Sequence, residues 1–308
     1  MKVISAASEL EGHGRNVCLA IGFFDGVHLG HQQVIRQTIS DAQQHESLAV
    51  VVTFDRHPNL VVAPQRVPQL IYSLPQKLRA IGELGGNAIL LLQFDRAFSE
   101  QSGEEFIRNI SRDFQKIQSI SVGASFLFGH KRSGNVALLR KMGAELKFAV
   151  HGLSAVGLDG RPVSSTRIRQ AIAAGNLNAA SQMLGRAYSF SGAVLPGDKI
   201  GRNIGFPTAN IDTTGLVLPP NGVYAAHATL QGKAYRAVLN IGHRPTLKEP
   251  TPQLRVEAHL LEFNRDIYGC ELELFPLEKL RDEQKFASLQ ALKEQITRDI
   301  TKAGSIFD

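Results

Sequence analysis

Between residues 17 and 150 the chain contains five continuous apolar runs, and a helical pattern separates each run from the next. The runs cover residues 17–21, 48–54, 88–94, 120–123 and 146–150. Strands that are apolar on both faces are typical of parallel sheets, because helices cover both faces of such sheets. The pattern therefore predicts an α/β domain with a doubly wound parallel sheet. Ligands of such sheets lie at the carboxyl ends of the strands.

The hydrophobic pattern changes near residue 187. Beyond it, five strand-like segments follow one another without helical crossovers, at residues 189–195, 223–230, 234–241, 255–261 and 271–276. Turn residues separate them, so this part is predicted to be an antiparallel barrel or sandwich. We therefore divide the chain into a first domain of residues 1–186 and a second domain of residues 187–308.

A final helix is predicted from about residue 288. Leu289, Leu292, Ile296 and Ile300 are spaced three and four residues apart, which places them on one apolar stripe. We interpret this stripe as core that packs against the preceding sheet.

Bulk properties exclude several classes of protein. The chain has 308 residues, of which 43% are hydrophobic and 20% charged, as in soluble globular proteins of two domains. No apolar run reaches the length of a membrane span, and residues 1–11 do not resemble a signal peptide. Cys18 and Cys270 are predicted to be reduced core residues of a cytoplasmic protein. The net charge of +6 is scattered, which favours an anionic small molecule over nucleic acid.

A glycine-rich turn, residues 22–31, joins the first apolar run to the first predicted helix. Glycines let backbone approach a ligand closely, and a helix N-terminus attracts phosphate. His28 and His31 lie three residues apart, so both rings can face one site above that terminus. From the residues alone, two surface histidines beside a turn would explain the spacing equally well.

A second helix start contains Ser165, Thr166 and Arg169. The hydroxyl groups could serve only as an N-cap. Alternatively, the hydroxyls and the guanidinium group could form a second phosphate site.

Two segments of the second half carry polar groups in specific patterns. Glycines at 197, 201 and 205 predict a loop whose N–H groups cradle phosphate, although a long hairpin loop is the alternative. The loop lacks Gly-Lys-Ser/Thr and is therefore not a P-loop. In segment 255–261, Glu257 and His259 alternate with apolar residues, so both lie on one strand face, which could equally be a solvated face.

Together these motifs resemble those of one family. Phe-Asp-Gly-Val-His-x-Gly-His at residues 24–31 is similar to the motif with which nucleotidyltransferases hold ATP phosphates, and Ser-Ser-Thr-x-x-Arg at 164–169 matches their second phosphate motif. Gly-Arg-x-x-Gly-Phe-Pro-Thr-Ala-Asn at 201–210 resembles the signature of riboflavin kinases. The order of the motifs is that of the bacterial bifunctional riboflavin kinase/FAD synthetases. The resemblance implies a Rossmann-like nucleotidyltransferase domain, an antiparallel β-barrel kinase domain and a C-terminal helix.

The resemblance also implies roles for individual residues. In the first domain, the implied catalytic residues are His28 and His31, the ATP-binding residues are Gly22, Phe24, Asp25, Gly26, Gly30, Ser165, Thr166 and Arg169, and the flavin-binding residues are His57, Pro58, Ser125 and Phe128. In the second domain, the implied general base is Glu257, the phosphate-binding residues are Gly197, Gly201, Arg202 and Gly205, the Mg²⁺ ligands are Thr208 and Asn210, and the flavin-binding residues are Arg281 and Phe286. The chain departs from the usual family pattern at Ser125 and Asn135, where acidic or amide residues and Asp, respectively, are common.

The implied chemistry is a two-step synthesis of FAD. ATP and riboflavin give FMN and ADP in the second domain, and ATP and FMN give FAD and pyrophosphate in the first, with Mg²⁺ as the cofactor. Nucleic acid, a membrane or an obligate protein partner is not expected. The alternatives are a monofunctional kinase with a decayed first domain and a non-catalytic protein that binds flavin or nucleotide. Only the departures at residues 125 and 135 favour these alternatives.

Overall fold

The computed structural model describes residues 1–11, 14–197, 201, 204–243 and 254–307. The chain divides into two compact units. The first contains Met1–Gln69 and Leu74–Ser165, and the second contains Leu70–Ser73 and Thr166–Asp308. The domain boundary expected between residues 186 and 187 stays a prediction.

The first unit is built on a parallel sheet of six strands. The strands are β1 (Lys2–Ile4), β2 (Val17–Ile21), β3 (Leu48–Phe54), β4 (Ala88–Leu92), β5 (Ile117–Gly123) and β6 (Ala149–Leu153). Their order is β1-β4-β3-β2-β5-β6, and every neighbouring pair is parallel. The chain moves from β2 to one side through β3 and β4, and β5 lies on the other side of β2. Strand β2 therefore lies at the switch point, where such sheets bind ligands.

Helices connect these strands, as the apolar pattern predicts. They are α1 (Leu29–Gln44), α2 (Asn59–Val62), α3 (Leu74–Gly82), α4 (Arg96–Glu100), α5 (Gly103–Phe114) and α6 (Val136–Leu146). A short hairpin of β7 (Gly157–Leu158) and β8 (Arg161–Pro162) precedes the end of the unit. The predicted doubly wound parallel sheet is confirmed.

The strand predicted at residues 146–150 is displaced. Leu146 is the last residue of α6, and Lys147 ends that helix in a left-handed conformation with a φ of 64°. Strand β6 then begins at Ala149. The apolar run spans a helix end and a strand start, and hydrophobicity alone cannot separate the two.

The second unit begins with two helices and continues as a closed barrel. The helices are α7 (Ser165–Ala173), whose first residue still belongs to the first unit, and α8 (Leu177–Leu184). The strands are β9 (Phe190–Leu195), β10 (Ala209–Ile211), β11 (Gly222–Leu230), β12 (Lys233–His243), β13 (Leu254–Leu260) and β14 (Glu271–Arg281). They close in the order β10-β13-β12-β11-β14-β9, and all pairs are antiparallel. The barrel is therefore the correct choice between the two predicted arrangements.

The C-terminal helix, α9, runs from Leu289–Phe307. Its interpretation as a uniform core stripe is wrong. Leu289 is 63% exposed, whereas Leu292 and Ile296 line a cavity, and only Ile300 packs against the small apolar cluster of the barrel. The buried residues of α9 are Asp299 and Ala303.

Two further expectations concern cysteines and membranes. Both thiols are free, but only Cys18 is buried, and Cys270 is half-buried, so the prediction of two core cysteines is wrong for Cys270. Among the described helices, none combines the length and the apolar character that spanning a bilayer requires.

Candidate active sites

The turn after β2 is a buried, tightly constrained segment. Phe24 and Val27 have positive φ angles of 56° and 42°, and Gly26, between them in the 3₁₀ turn, has a φ of 77°. A Cβ atom on Gly22 would lie 2.8 Å from the ring of Phe24, so only glycine fits there. Asp25 is 3% exposed. Packing within the segment that was predicted to bind phosphate therefore restricts its conformation.

The two histidines are adjacent at the start of α1. The rings of His28 and His31 are stacked, with centroids 3.6 Å apart and an interplanar angle of 17°. His28 is the N-cap residue, and its Nδ1 accepts a hydrogen bond from the backbone N–H of His31 at 3.3 Å. Because Nδ1 accepts, the neutral ring carries its proton on Nε2. Both rings thus lie together at a helix N-terminus, and their binding of ATP phosphates stays a prediction.

The second phosphate motif reaches the same turn through Ser165. Its hydroxyl group donates a hydrogen bond to the backbone oxygen of Asp25 at 3.1 Å. Ser165 is also the first residue of α7, on which Thr166 is exposed and Arg169 is half-buried. Thr166 and Arg169 belong to the second unit, and their approach to the histidines stays a prediction.

The residues expected to bind flavin in the first unit follow β3 and β5. The ring of His57 meets Phe23 edge-on, with centroids 4.9 Å apart, and Pro58 precedes α2. Phe128 stacks on Phe126 at 5.1 Å, and Ser125 beside them is exposed. Each group lies at the carboxyl edge of the sheet, and their meeting around one flavin stays a prediction.

Asn135, one of the two departures from the family pattern, has a structural role. It is the N-cap of α6, and its Oδ1 accepts a hydrogen bond from the N–H of Leu138 at 2.9 Å. Asparagine caps helices about as well as aspartate. This departure therefore preserves the cap.

The second unit contains a cavity of about 610 Å³ that reaches from the glycine-rich loop to α9. Asn210 of β10 and Asn240 of β12 both lie directly opposite Glu257 of β13. Residues opposite one another on neighbouring strands share a face and lie within contact distance. All three line the cavity, so Glu257 lies on a face of the barrel that borders a pocket, between two amides.

The glycine-rich loop packs closely against this row. A Cβ atom on Gly197 would overlap the amide of Asn210, and one on Gly201 would lie 3.3 Å from the Thr208 hydroxyl. These glycines, Thr208 and Asn210 line the same cavity. Gly205 has a φ of 92° and would meet no atom with a Cβ, so its conformation rather than crowding favours glycine. Arg202 lies outside the described residues.

His259 lines the cavity and also contacts the loop. Its Nδ1 lies 2.7 Å from the backbone oxygen of Pro207. A carbonyl oxygen only accepts, so Nδ1 must be the donor. Its ring also meets Phe206 edge-on at 5.8 Å. These contacts fix the orientation of His259. A neutral ring that donates from Nδ1 keeps a lone pair on Nε2, so His259 stays an alternative to Glu257 as a proton acceptor.

The opposite end of the cavity is formed by the predicted flavin-binding residues and α9. The guanidinium group of Arg281 lies 5.7 Å from the ring of Phe286. Arg281 Nε lies 3.0 Å from both carboxylate oxygens of Asp299, and its Nη2 lies 2.8 Å from Oδ2. Gln295 donates a further hydrogen bond to Asp299 at 2.8 Å. Arg281 is thus held in a fixed orientation beside an apolar wall.

Sequence reasoning missed three residues at these sites. Only strand pairing shows that Asn240 lies opposite Glu257. Lys77 on α3 and Asp299 on α9 are buried charged residues, and each lies among the buried residues of its amphipathic helix. A charge at an apolar position of the helical repeat was the available signal.

Comparisons with known proteins match two different families to two parts of the chain. The family described as FAD synthetase matches residues 11–167, and the family described as riboflavin kinase matches residues 184–307. The bifunctional riboflavin kinase/FMN adenylyltransferase of Escherichia coli K12 is 37% identical over 100% of this chain and 98% of the relative. The protein of the same description from Haemophilus influenzae is 36% identical over 94% of each chain.

A solved structure is similar along nearly the full length. It is described as a macrolide-efflux protein from Streptococcus pneumoniae, and it matches with a TM-score of 0.80, 28% identity and coverage of 97% of each chain. The identity of more than a third along the complete chain, together with both family matches, decides the assignment. The chain belongs to the bifunctional riboflavin kinase/FMN adenylyltransferase family.

Proposed function

We propose that this chain phosphorylates riboflavin to FMN and then adenylylates FMN to FAD, with ATP as the co-substrate of both steps. The kinase step is assigned to residues 187–308 and the adenylyl transfer to residues 1–186. The observation that supports the proposal is that each matched region contains its own group of polar side chains suited to phosphate chemistry. These are the stacked histidine pair at a helix start and the Asn210, Glu257 and Asn240 row over a cavity.

In the kinase step, the 5′-hydroxyl oxygen of riboflavin attacks the γ-phosphorus of ATP. The hydroxyl proton passes to Glu257, the bond to the β-phosphate oxygen breaks, and ADP leaves. A sugar hydroxyl is a weak nucleophile, which explains the need for a carboxylate base. The phosphates are expected at Gly197, Gly201, Arg202 and Gly205, and the flavin at Arg281 and Phe286. The apolar residues Leu292 and Ile296 support this placement because they line that end of the cavity.

Thr208 and Asn210 fit a Mg²⁺ ion that accompanies ATP. Both side chains offer oxygen atoms, and both line the cavity that contains Glu257. In the described part of the chain, no group of three His, Cys, Asp or Glu residues could form a cage of protein ligands. Magnesium characteristically uses few protein oxygens, several waters and substrate phosphates. Bound there, it would neutralise charge on the transferring phosphate.

In the second step, a phosphate oxygen of FMN attacks the α-phosphorus of ATP, the bond to the β-phosphate oxygen breaks, and pyrophosphate leaves. FMN phosphate is already an anion, so positioning and charge stabilisation suffice. His28, His31 and the N-terminus of α1 are assigned to the ATP phosphates, with Gly22, Phe24, Asp25, Gly26 and Gly30 shaping the turn. Ser165, Thr166 and Arg169 are assigned to the second phosphate position, and His57, Pro58, Ser125 and Phe128 to the flavin.

Both cysteines are free thiols, which supports action in the reducing cytoplasm.

Chromatography after incubation with riboflavin, ATP and Mg²⁺ tests the function directly. We expect FMN to appear first and FAD to follow. FMN without FAD, even when FMN is supplied in excess, would identify a monofunctional kinase. Neither product would identify a protein that binds flavin or nucleotide without turnover.

A further inference from the structure

Lys77 is a buried cation beside the constrained turn, and none of the roles above includes it. It lies on α3, and 3% of it is exposed. Its Nζ donates hydrogen bonds to the backbone oxygens of Phe54 at 2.7 Å and Phe23 at 3.3 Å, and to Thr53 Oγ1 at 3.4 Å. Phe54 ends β3 and Phe23 follows β2. One ammonium group therefore joins the carboxyl ends of two neighbouring strands.

Phe23 is the second residue of the glycine-rich turn, residues 22–31, which carries both histidines. Its ring centroid lies 4.4 Å from Lys77 Nζ, and its backbone oxygen also accepts a hydrogen bond from Thr53 Oγ1 at 3.1 Å. The next residue, Phe24, adopts a positive φ. Such conformations cost about 1–3 kcal/mol and persist only where the surroundings enforce them. The contacts of Lys77 supply that enforcement at the start of the turn.

Two nearby carboxylates oppose the effect of burial on the pKa of Lys77. Burial lowers the pKa of Lys77 to about 8, whereas Asp25 in the 3₁₀ turn and Asp55 after β3 act in the opposite direction. Arg56, which forms an ion pair with Asp55 at 2.7 Å, is the other charged group at this strand end. An apolar side chain of similar length would avoid the desolvation cost but would not donate hydrogen bonds to the carbonyl oxygens of Phe23 and Phe54. The lysine is therefore needed where these two strand ends are joined.

We propose that Lys77 is a positioning residue for adenylyl transfer. Its ammonium group fixes the Phe23 carbonyl and thereby sets the position of the Asp25–His31 segment, which presents His28 to the ATP phosphates. This inference rests on the proposed second step. The proposal extends the candidate site from the turn to helix α3, which carries Lys77.

The test is the rate of FAD formation from supplied FMN by the full chain with Lys77→Met. Misplacement of a reacting group by about 1 Å can cost a hundredfold, so we expect kcat to fall about ten- to a hundredfold. FMN formation from riboflavin should stay within about twofold. Lys141→Met, at an exposed position of α6, is the matched control and should leave both rates unchanged. A wild-type rate of FAD formation in Lys77→Met would overturn the proposal.

The pH profile separates positioning from mere loss of fold. In the wild type, kcat for FAD formation should fall as pH rises through about 8, because the ammonium group loses its charge there. Free histidines titrate more than a unit lower and do not produce this limb. Lys77→Met should lack it. A wild-type profile that is flat from pH 7 to 9.5 would overturn the proposal even if the variant does not fold. Absence of FAD from the wild type at every pH would instead refute the proposed second step.

Discussion

The two proposed phosphate sites are built in opposite ways. In the first, the candidate groups lie on a buried turn: Asp25 and His28 are 3% and 7% exposed, and three residues of the turn have positive φ. In the second, the candidate groups are half-buried side chains of neighbouring strands, exemplified by Glu257 and Asn210 over the 610 Å³ cavity.

This difference corresponds to the nucleophile in each proposed step. FMN phosphate is already charged, so its partner site has only to hold phosphates in line, and a rigid turn does this well. The riboflavin hydroxyl must lose a proton in the transition state, so its site needs a base that reaches into an open cavity. The comparison predicts that substitutions in one unit leave the chemistry of the other intact.

The largest effect is expected for Glu257→Gln, which keeps the size of the side chain but cannot accept a proton. General-base contributions are about a hundred- to ten-thousandfold, so FMN formation should fall by at least about a hundredfold. Riboflavin binding and FAD formation from supplied FMN should be unchanged. Slow product release can mask chemistry in the steady state, so the rate should be measured in a single turnover. A wild-type single-turnover rate would exclude Glu257 as the base.

A comparable effect is expected in the first unit for His28→Ala and His31→Ala. Loss of one preorganised donor typically costs about a hundred- to a thousandfold in rate, here in FAD formation. His28→Asn is the matched control for the helix cap, because asparagine still accepts the N–H of His31. It should be as inactive as His28→Ala if the ring acts on ATP. A parallel loss of FMN formation in folded protein would break the separation of the two sites.

Strands were predictable from the sequence where the hydrophobic pattern extended over many residues. Strand β3, in which six of seven residues are apolar, has the bounds that the sequence predicts. Strands β1 and β10 were missed because each has three residues, too few for a period of two to show. The omission of β10 matters, since it brings Asn210 opposite Glu257.

The sequence predicted the candidate site residues that belong to motifs, but not the buried charged residues beside them. The histidine pair and Glu257 belong to recognisable sequence patterns, whereas Lys77 and Asp299 do not. Each is a charged residue among the buried residues of an amphipathic helix, where a hydrophobic pattern counts it as an interruption. Its partners, two strand-end carbonyls for Lys77 and the Arg281 guanidinium for Asp299, come from distant parts of the chain. Only the folded structure brings them together.

A smaller effect is expected for Asp299→Asn in the second unit. The change removes the charge that orients Arg281 at the proposed flavin end of the cavity, so we expect KM for riboflavin to rise about tenfold, the factor that corresponds to about 1.4 kcal/mol. The single-turnover rate at saturating riboflavin should change little. Gln295→Ala, which removes one hydrogen bond to Asp299 and no charge, should raise KM less. If KM is unchanged and only thermal stability falls, Asp299 supports the fold and not flavin binding.

The smallest effect concerns the stability cost of Lys77. Its pKa is lowered by burial to about 8 in the folded protein, from 10.5 in the unfolded chain. Below pH 8 both states are protonated and the full cost of burying the charge is present. As pH rises from 8 towards 10.5, the folded state releases the proton first, so the wild type gains stability relative to Lys77→Met. We expect a relative gain of about 1 kcal/mol between pH 8 and 9, measured by denaturant unfolding of both proteins at each pH. Stability would thus rise over the range in which FAD formation falls. A difference between the two proteins that does not vary between pH 8 and 9 would show that burial does not lower the pKa of Lys77, because the ammonium group would then stay charged in both states. The loss of FAD formation near pH 8 would then have to come from another group.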